Sequence, residues 1–480
     1  MKPLWKHQIE RIERSCQPGV TDLALFDEMG TGKTRSLIEI LRRRYAAAGR
    51  IMNTLIVCPK STKRQWKNQI LEYSKLKPID ILVLEKSEKR RCKDFYDLIN
   101  VDGQLLRNKI VIVNPASFEM DELLKLIKMW GVEIFVIDEA HEFKAHNGKR
   151  SRAAVPIADA AKYRYIMTGT PIANTESDIF MQYRLLDGGK TFGTNFFVFR
   201  KKYYADANAA WAHRQNHFPK YECTQAGRDE IRNLMYTKAM RALKKDCLDL
   251  PPFVREEREV TLSPEQARAY KEMKEEFLTW IKDQHDQPRT VVANLAITKV
   301  MKMQQIISGF AFDENRNPVR FKNVPRLDEL KELLTQLTVD NKVIVWANFI
   351  ENYRMIAEVC DELKIGHIKI VGGMTDAERA EQLHAFQTDP TVKVVIANQQ
   401  AGGTGLDGLQ GASYAIYYSK DASLLKDSQS EARNYRGGSE RHEKITRIDL
   451  VAYDTLDEAI NDALANKKDL ADYILDKEIL

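Results

Sequence analysis

The stretch "LALFDEMGTGKT", residues 23 to 34, runs from an apolar, strand-like segment through a glycine-bearing turn into a helix-forming segment. Such a turn lets successive backbone N–H groups converge on phosphate oxygens, and Gly30 and Gly32 supply the backbone freedom this needs. Lys33 can then reach the β- and γ-phosphates of a nucleotide while Thr34 ligates magnesium, so Gly30, Thr31, Gly32, Lys33 and Thr34 form the phosphate-binding set. The general pattern G-x-x-x-x-G-K-[ST] is incomplete, because Asp27 stands at its first glycine position.

A second acidic signal follows in "FVIDEAH", residues 135 to 141, where two carboxylates come directly off an apolar strand. Asp138 is placed to hold magnesium and Glu139 to orient and activate the water that attacks a γ-phosphate. An acidic turn after a buried strand would look alike in isolation, but the upstream loop, in the right order, makes the pair a candidate site for ATP and Mg2+.

A third stretch, "EARNYRGGSE" at 431 to 440, sets Arg433 and Arg436 three apart before two glycines. On a helix they would share a face until the Gly-Gly pair ends it, aimed at one target. A pair of solvated surface arginines reads the same way.

The elements that must position these residues recur along the chain. Short apolar runs, "DLALF", "NTLIVCP", "DILVLE", "KIVIVNP", "EIFVIDE" and "YRYIMTG", alternate with helical stretches in the first 170 residues. A second set follows as "NKVIVWANF", "IGHIKIVGG", "VKVVIANQQ", "SYAIYYS" and "ITRIDLVAY". Strands alternating with helices imply parallel sheets covered on both faces, so the fold class is α/β, with two parallel-sheet domains in tandem. Between them the chain turns helical and charged, and Pro251 and Pro252 in "DLPPF" mark a break. The expected division is 1–246, including a helical protrusion over about 185–246, and 247–480, opening with a linker and protrusion over about 247–310, in keeping with the usual domain size.

The 480 residues are 44% apolar and 30% charged, with six dispersed cysteines and a formal net charge of +6. No apolar run suits a membrane span and "MKPLWKHQIE" lacks the apolar stretch of a secretory signal, so a cytoplasmic protein with reduced thiols is expected. The charge permits nucleic-acid binding without establishing it.

With these motifs placed, the chain resembles helicase superfamily two, and within it the Swi/Snf-type DNA translocases. "DEMGTGKT" is similar to that family's "DEMGxGKT", which accounts for Asp27, and "VIDEAHEFK" to its DEAH box. "LIVCPKSTKRQW" resembles its DNA-contacting strand and loop, "MTGTPIANT" its "LTGTPIxN", and "LWKHQ" its adenine-recognising glutamine motif, pointing to Gln8. "CLDLPPF", "LSPEQ", "KVIVWANF", "AGGTGLD" and "QSEARNYRGG" carry the match through the second half, with Tyr435 and Ser439 departing from the closing arginine motif.

The resemblance implies two RecA-like lobes and an ATP hydrolase. Gln429, Arg433 and Arg436 of the second lobe would approach the γ-phosphate held by the first, with Arg436 as the arginine finger. His141 and Thr170 would relay nucleotide state. Lys60, Ser61 and Asn114 in the first lobe, with Asn348, Gly403 and Thr404 in the second, would touch the phosphate backbone of DNA, duplex or branched. The expected protein is a monomeric motor of a compact bacterial or phage type, acting in DNA remodelling, replication or recombination, with replication or recombination proteins as partners. A strand-separating helicase on forked DNA or RNA, and a nucleotide-switched nucleic-acid clamp without turnover, stand as alternatives.

Other stretches remain open or structural. "FRKKYYADANAAWAHRQNHFPKY", 199 to 221, reads either as a base-stacking, backbone-tracking surface or as a packed helical protrusion. Lys149, Arg150 and Arg152 are similarly undecided. Capping boxes are expected at Ser263/Gln266 and Thr375/Glu378. Tyr270, Met273, Phe277 and Trp280 form a packing stripe, and Trp66 reads as core.

Overall fold

The computed structural model describes residues 3–85, 87–101, 104–105, 108–172, 175–209, 219–282, 289–400 and 408–465. It divides into two units, Met1–Leu248 and Asp249–Leu480. Each is built on a parallel sheet of the RecA-like kind.

In the first unit seven strands lie in the order Ala239–Met240, Asp22–Leu25, Tyr163–Met167, Ile134–Asp138, Thr54–Val57, Ile110–Val113, Ile81–Val83. Every neighbouring pair is parallel. Successive side chains in a strand point to opposite faces, and the apolar runs obey this. Leu55, Val57, Val111, Val113, Phe135 and Ile137 join one core. Ile56, Ile110, Ile112, Ile134 and Val136 join another on the opposite face. Helices cover both layers, which is why these strands read as continuous apolar runs.

The second unit repeats the plan with six strands, in the order Phe253–Glu259, Ile445–Val451, Tyr414–Tyr417, Val343–Trp346, Val392–Ala397, Gly366–Ile370, again all parallel. Val343 and Val345 face one core, Ile344 and Trp346 the other.

Both expected capping boxes form. Gln266 Oε1 accepts from the Ser263 N–H and the Gln266 N–H donates to Ser263 Oγ, both at 3.3 Å. Thr375 and Glu378 exchange the same pair of bonds. Of the packing stripe, Tyr270 is buried and Met273 packs against the core, while the side chains of Phe277 and Trp280 fall outside the described set. Among the described residues no helix is long and apolar enough to cross a membrane.

A parallel sheet brings the carboxyl ends of all its strands to one edge, where ligands of such folds gather. In the first unit that edge carries the loop after Leu25, the turn after Val57, Asn114, Asp138 and the turn after Met167.

Candidate nucleotide site

The phosphate loop leaves the strand Asp22–Leu25 and enters the helix Lys33–Ala48, with Gly30 at φ +85° and Gly32 at +80°. Only glycine takes this conformation without strain, and a Cβ on Gly32 would also collide with the side chain of Gln8. Lys33 Nζ donates to the carbonyls of Asp27 at 2.8 Å and Glu28 at 3.1 Å, so the cation is held at the mouth of the loop.

The helix Lys6–Cys16 grips this loop from outside. Gln8 Nε2 donates to the Gly32 carbonyl at 3.2 Å while Gln8 Oε1 accepts from the Trp5 N–H. His7 Nε2 donates to the Thr31 carbonyl at 2.8 Å. Arg11 binds the carboxylate of Asp27 through two bonds, with both side chains at most 2% exposed. Asp27 is therefore a structural residue of the loop, and its partner Arg11 was not singled out in the sequence.

Asp138 ends the strand Ile134–Asp138, and Glu139 follows at φ +58°, a left-handed conformation that is uncommon for a non-glycine residue. Burial and the neighbouring Glu139 push the Asp138 carboxyl up to about 6, against the pull of Trp66 and Lys33. A cation at Asp138 would remove that cost, so a half-buried carboxylate at the strand end with Thr34 in the first helical turn suits magnesium. Trp66 is core, as its composition suggested, but its Nε1–H also donates to Asp138 Oδ2 at 2.8 Å. The reading of Trp66 as core therefore holds, and the structure adds a polar partner for its indole N–H, which the buried indoles of Trp130 and Trp346 lack.

His141 Nδ1 lies 3.2 Å from Thr168 Oγ1 and 3.3 Å from Glu139 Oε2, and Thr168 Oγ1 lies 3.4 Å from the same carboxylate oxygen. Burial lowers the basicity of His141, but Glu139 outweighs it and the net shift is upward. Thr170 enters this network only through its backbone N–H, which donates to Thr168 Oγ1 at 3.1 Å. Its own hydroxyl is buried without a hydrogen bond. Thr168 Oγ1 sits beside both the histidine and the acid because Thr168 comes immediately off the strand Tyr163–Met167, next to the strand carrying Asp138.

The nucleic-acid candidates divide. Lys60 is exposed and Ser61 half-buried, in the short turn of 3-10 helix Lys60–Thr62. Asn114 is largely buried, and its carboxamide oxygen accepts from Arg91 Nη1 at 2.9 Å. Asn348 follows the strand Val343–Trp346, with its N–H donating to Ser419 Oγ. Gly403 and Thr404 lie outside the described residues, as do 210–218 of the basic aromatic stretch. Arg150 pairs with Glu119 and Glu142, and Lys149 with Asp121, within their own unit.

In the second unit the helix Leu424–Glu431 ends at Glu431, so Arg433 and Arg436 lie in the turns beyond it and share no helix face. The expectation that the glycine pair ends the helix is corrected by the Arg433 N–H, which bonds three residues back to the Ser430 carbonyl, and by Asn434, whose side chain reaches the Ala412 carbonyl. Arg433 is buried and Arg436 half-exposed. Ser439, where the family pattern differs, donates from its hydroxyl to the Arg436 carbonyl at 2.8 Å and so fixes that turn. Gln429 is buried on the helix itself.

Below this helix Arg447 joins Asp427 through two bonds of 2.8 and 3.0 Å, Asp449 at 3.0 Å and Glu431 at 3.2 Å. Its guanidinium stacks on Tyr417 at 3.9 Å. No sequence motif announced this buried cluster.

A glycine phosphate loop and a paired-carboxylate strand end on one RecA-like sheet, followed by a second such sheet, define the tandem-lobed class of helicase-like proteins. Family models match in agreement: the SNF2-related domain over residues 9–309 and the helicase conserved C-terminal domain over 325–438. The chain belongs to the SNF2-related family. It is similar to the DNA annealing helicase and endonuclease ZRANB3 of Homo sapiens, 27% identical over 447 residues, covering 90% of this chain and 36% of that one. It is also similar to the uncharacterized ATP-dependent helicase MG018 of Mycoplasma genitalium, 24% identical over 481 residues, covering 99% and 42%. Among solved structures, the Sulfolobus solfataricus SWI2/SNF2 ATPase core in complex with dsDNA matches at 21% identity and a TM-score of 0.44, covering 99% of this chain and 94% of that one. The chain spans little more than a third of the length of the ZRANB3 proteins it matches.

Proposed function

We propose that this chain is an ATP-driven motor that moves along DNA, duplex or branched, and remodels it. The observation that carries the reading is the set Lys33, Asp138, Glu139, His141 and Thr168 at one edge of one sheet. A clamp that merely switches with nucleotide has no use for a carboxylate held to orient water, whereas a hydrolase requires one.

In this reading Gln8 serves the nucleotide by bracing the loop at the Gly32 carbonyl, the loop from Gly30 to Gly32 with Lys33 holds the phosphates, and Thr34 and Asp138 would hold magnesium. Bound magnesium offsets the charge on the β- and γ-phosphates. Glu139 orients the attacking water, and its hydrogen-bonded neighbours His141 and Thr168 fix the carboxylate. Arg436, with Arg433 and Gln429, meets the γ-phosphate during the cycle and stabilises charge that develops only in transfer, which ties hydrolysis to movement. Lys60, Ser61, Asn114, Asn348, Gly403 and Thr404 grip the phosphate backbone, which carries no sequence information and suits a motor. The DNA preference takes support from family membership and from the DNA annealing activity in the name of the ZRANB3 relative. Work in a bacterial or phage-infected cytoplasm, beside replication or recombination proteins, fits the mycoplasmal relative.

Steady-state ATP hydrolysis tests this, with wild type and Glu139→Gln measured alone and with single-stranded DNA, duplex, fork and RNA. Stimulation by duplex, lost in the variant by about 10²–10⁴-fold as for a missing general base, is the expected outcome. Preference for forks or RNA would replace the translocase by a strand-separating helicase, and no turnover with any of them would leave the nucleotide-switched clamp.

A further inference from the structure

Trp66 has a second connection besides its bond to Asp138. It sits one turn into the helix Lys63–Tyr73, which continues without a break from the turn Lys60–Thr62. That turn holds two of the residues assigned above to the DNA backbone. The helix start is anchored: Lys63, buried, donates from Nζ to the Leu84 carbonyl at 2.6 Å, and Arg64 pairs with Glu85. Thr62 closes the turn through its hydroxyl to the Pro59 carbonyl at 3.0 Å. A turn pinned on both sides cannot absorb a displacement by itself, so a load on Lys60 and Ser61 passes to the first turn of the helix, where Trp66 is packed at 1% exposure.

The receiving end is equally constrained. Trp66 donates to Oδ2 of Asp138 at 2.8 Å, a bond that engages that oxygen and restrains the rotation of a carboxylate that would hold a metal. Outer partners of this kind orient ligating groups and typically alter metal affinity by 10- to 100-fold when removed. An ordinary core tryptophan would be replaceable by any ring of like shape, whereas this one supplies a hydrogen bond to a carboxylate that burial already disfavours in its charged form.

We infer that Trp66 is a positioning residue that holds Asp138 in its metal-binding orientation and transmits occupancy of the Lys60–Thr62 turn to the magnesium site. This rests on the ATPase and DNA assignments proposed above.

The test is the Mg2+ concentration for half-maximal binding of a fluorescent ATP analogue, with and without a DNA duplex, in wild type and Trp66→Phe. A second variant carries 3-benzothienylalanine at position 66, which keeps the bicyclic shape and replaces the N–H by sulfur; it serves where phenylalanine leaves a cavity that unfolds the unit. Circular dichroism and duplex affinity are followed in parallel. The expected result is a rise of about tenfold in the Mg2+ requirement in the variants, in line with outer-partner effects at metal sites. DNA is expected to shift the wild-type requirement and to leave that of the folded variants unmoved. A wild-type Mg2+ requirement in the benzothienyl protein, or an equal DNA shift in wild type and variants, overturns the inference. Failure of the underlying reading appears elsewhere, in wild type alone, as absence of Mg2+-dependent nucleotide binding or of a duplex complex.

Discussion

Arg11 and Asp27 meet as a buried two-pronged ion pair, with Nε 2.8 Å from Oδ2 and Nη2 2.6 Å from Oδ1. The pair joins the helix that carries Gln8 to the first residue of the phosphate loop. Arg11 also donates to the His7 carbonyl one turn back in its own helix, so the guanidinium that holds the loop is itself held by the helix backbone.

Removing one partner strands the other charge in the interior. Arg11→Met is expected to destabilise the first unit by about 3–5 kcal/mol, the usual result of breaking a buried pair from one side. Arg11→Met combined with Asp27→Leu removes both charges and is expected to recover most of that loss. Urea denaturation midpoints of the two proteins at constant m-value provide the check.

Thr168 and Thr170 can be told apart by one methyl-for-hydroxyl change each. Thr168→Val removes the hydroxyl beside Glu139 and His141, and a hydrogen bond to a charged group is worth about 1.5–3 kcal/mol, so kcat is expected to fall roughly 10- to 100-fold. Thr170→Val removes a buried hydroxyl that makes no hydrogen bond and is expected to leave kcat within about twofold, since deleting an unsatisfied group costs little. ATP turnover of the two variants side by side decides it; equal losses would return the relay to Thr170.

Arg447 carries the corresponding burden in the second unit. Arg447→Met leaves Asp427 and Asp449 buried with Lys420 as their nearest cation, and a loss of about 3–5 kcal/mol in that unit is expected. Asp427 lies on the helix that leads to Arg433 and Arg436, so kcat should fall in folded protein while KM for ATP changes little. Thermal unfolding and steady-state kinetics below the transition separate the two effects.

Much of the frame was legible in the sequence. Each of the eleven apolar runs carries a strand of the seven- or six-stranded sheet, because most of these strands are buried on both faces and leave an unbroken apolar signature. Of the strands in the seven- and six-stranded sheets, the two without an apolar run are edge strands. Ala239–Met240 is only two residues long, and Phe253–Glu259, "FVREERE", is so charged and exposed that its sequence shows no apolar pattern. An edge strand is held by its backbone bonds to one neighbour, here Ile445–Val451, and asks little of its own side chains.

The phosphate loop and the Asp138–Glu139 pair could be proposed from the sequence because their chemistry is local: a few consecutive residues would present N–H groups, an ammonium and carboxylates from one turn, and the structure places both at the same edge of the first sheet. What Asp138 and Asp27 bind was decided by the tertiary structure. Trp66 stands 72 residues from its carboxylate partner and Arg11 sixteen from its own. The hydroxyl that meets His141 lies 27 residues away, just past the end of the strand Tyr163–Met167. Local patterning sets which elements form, but such partners are chosen by the order in which strands enter the sheet, and that order is a property of the whole packed core.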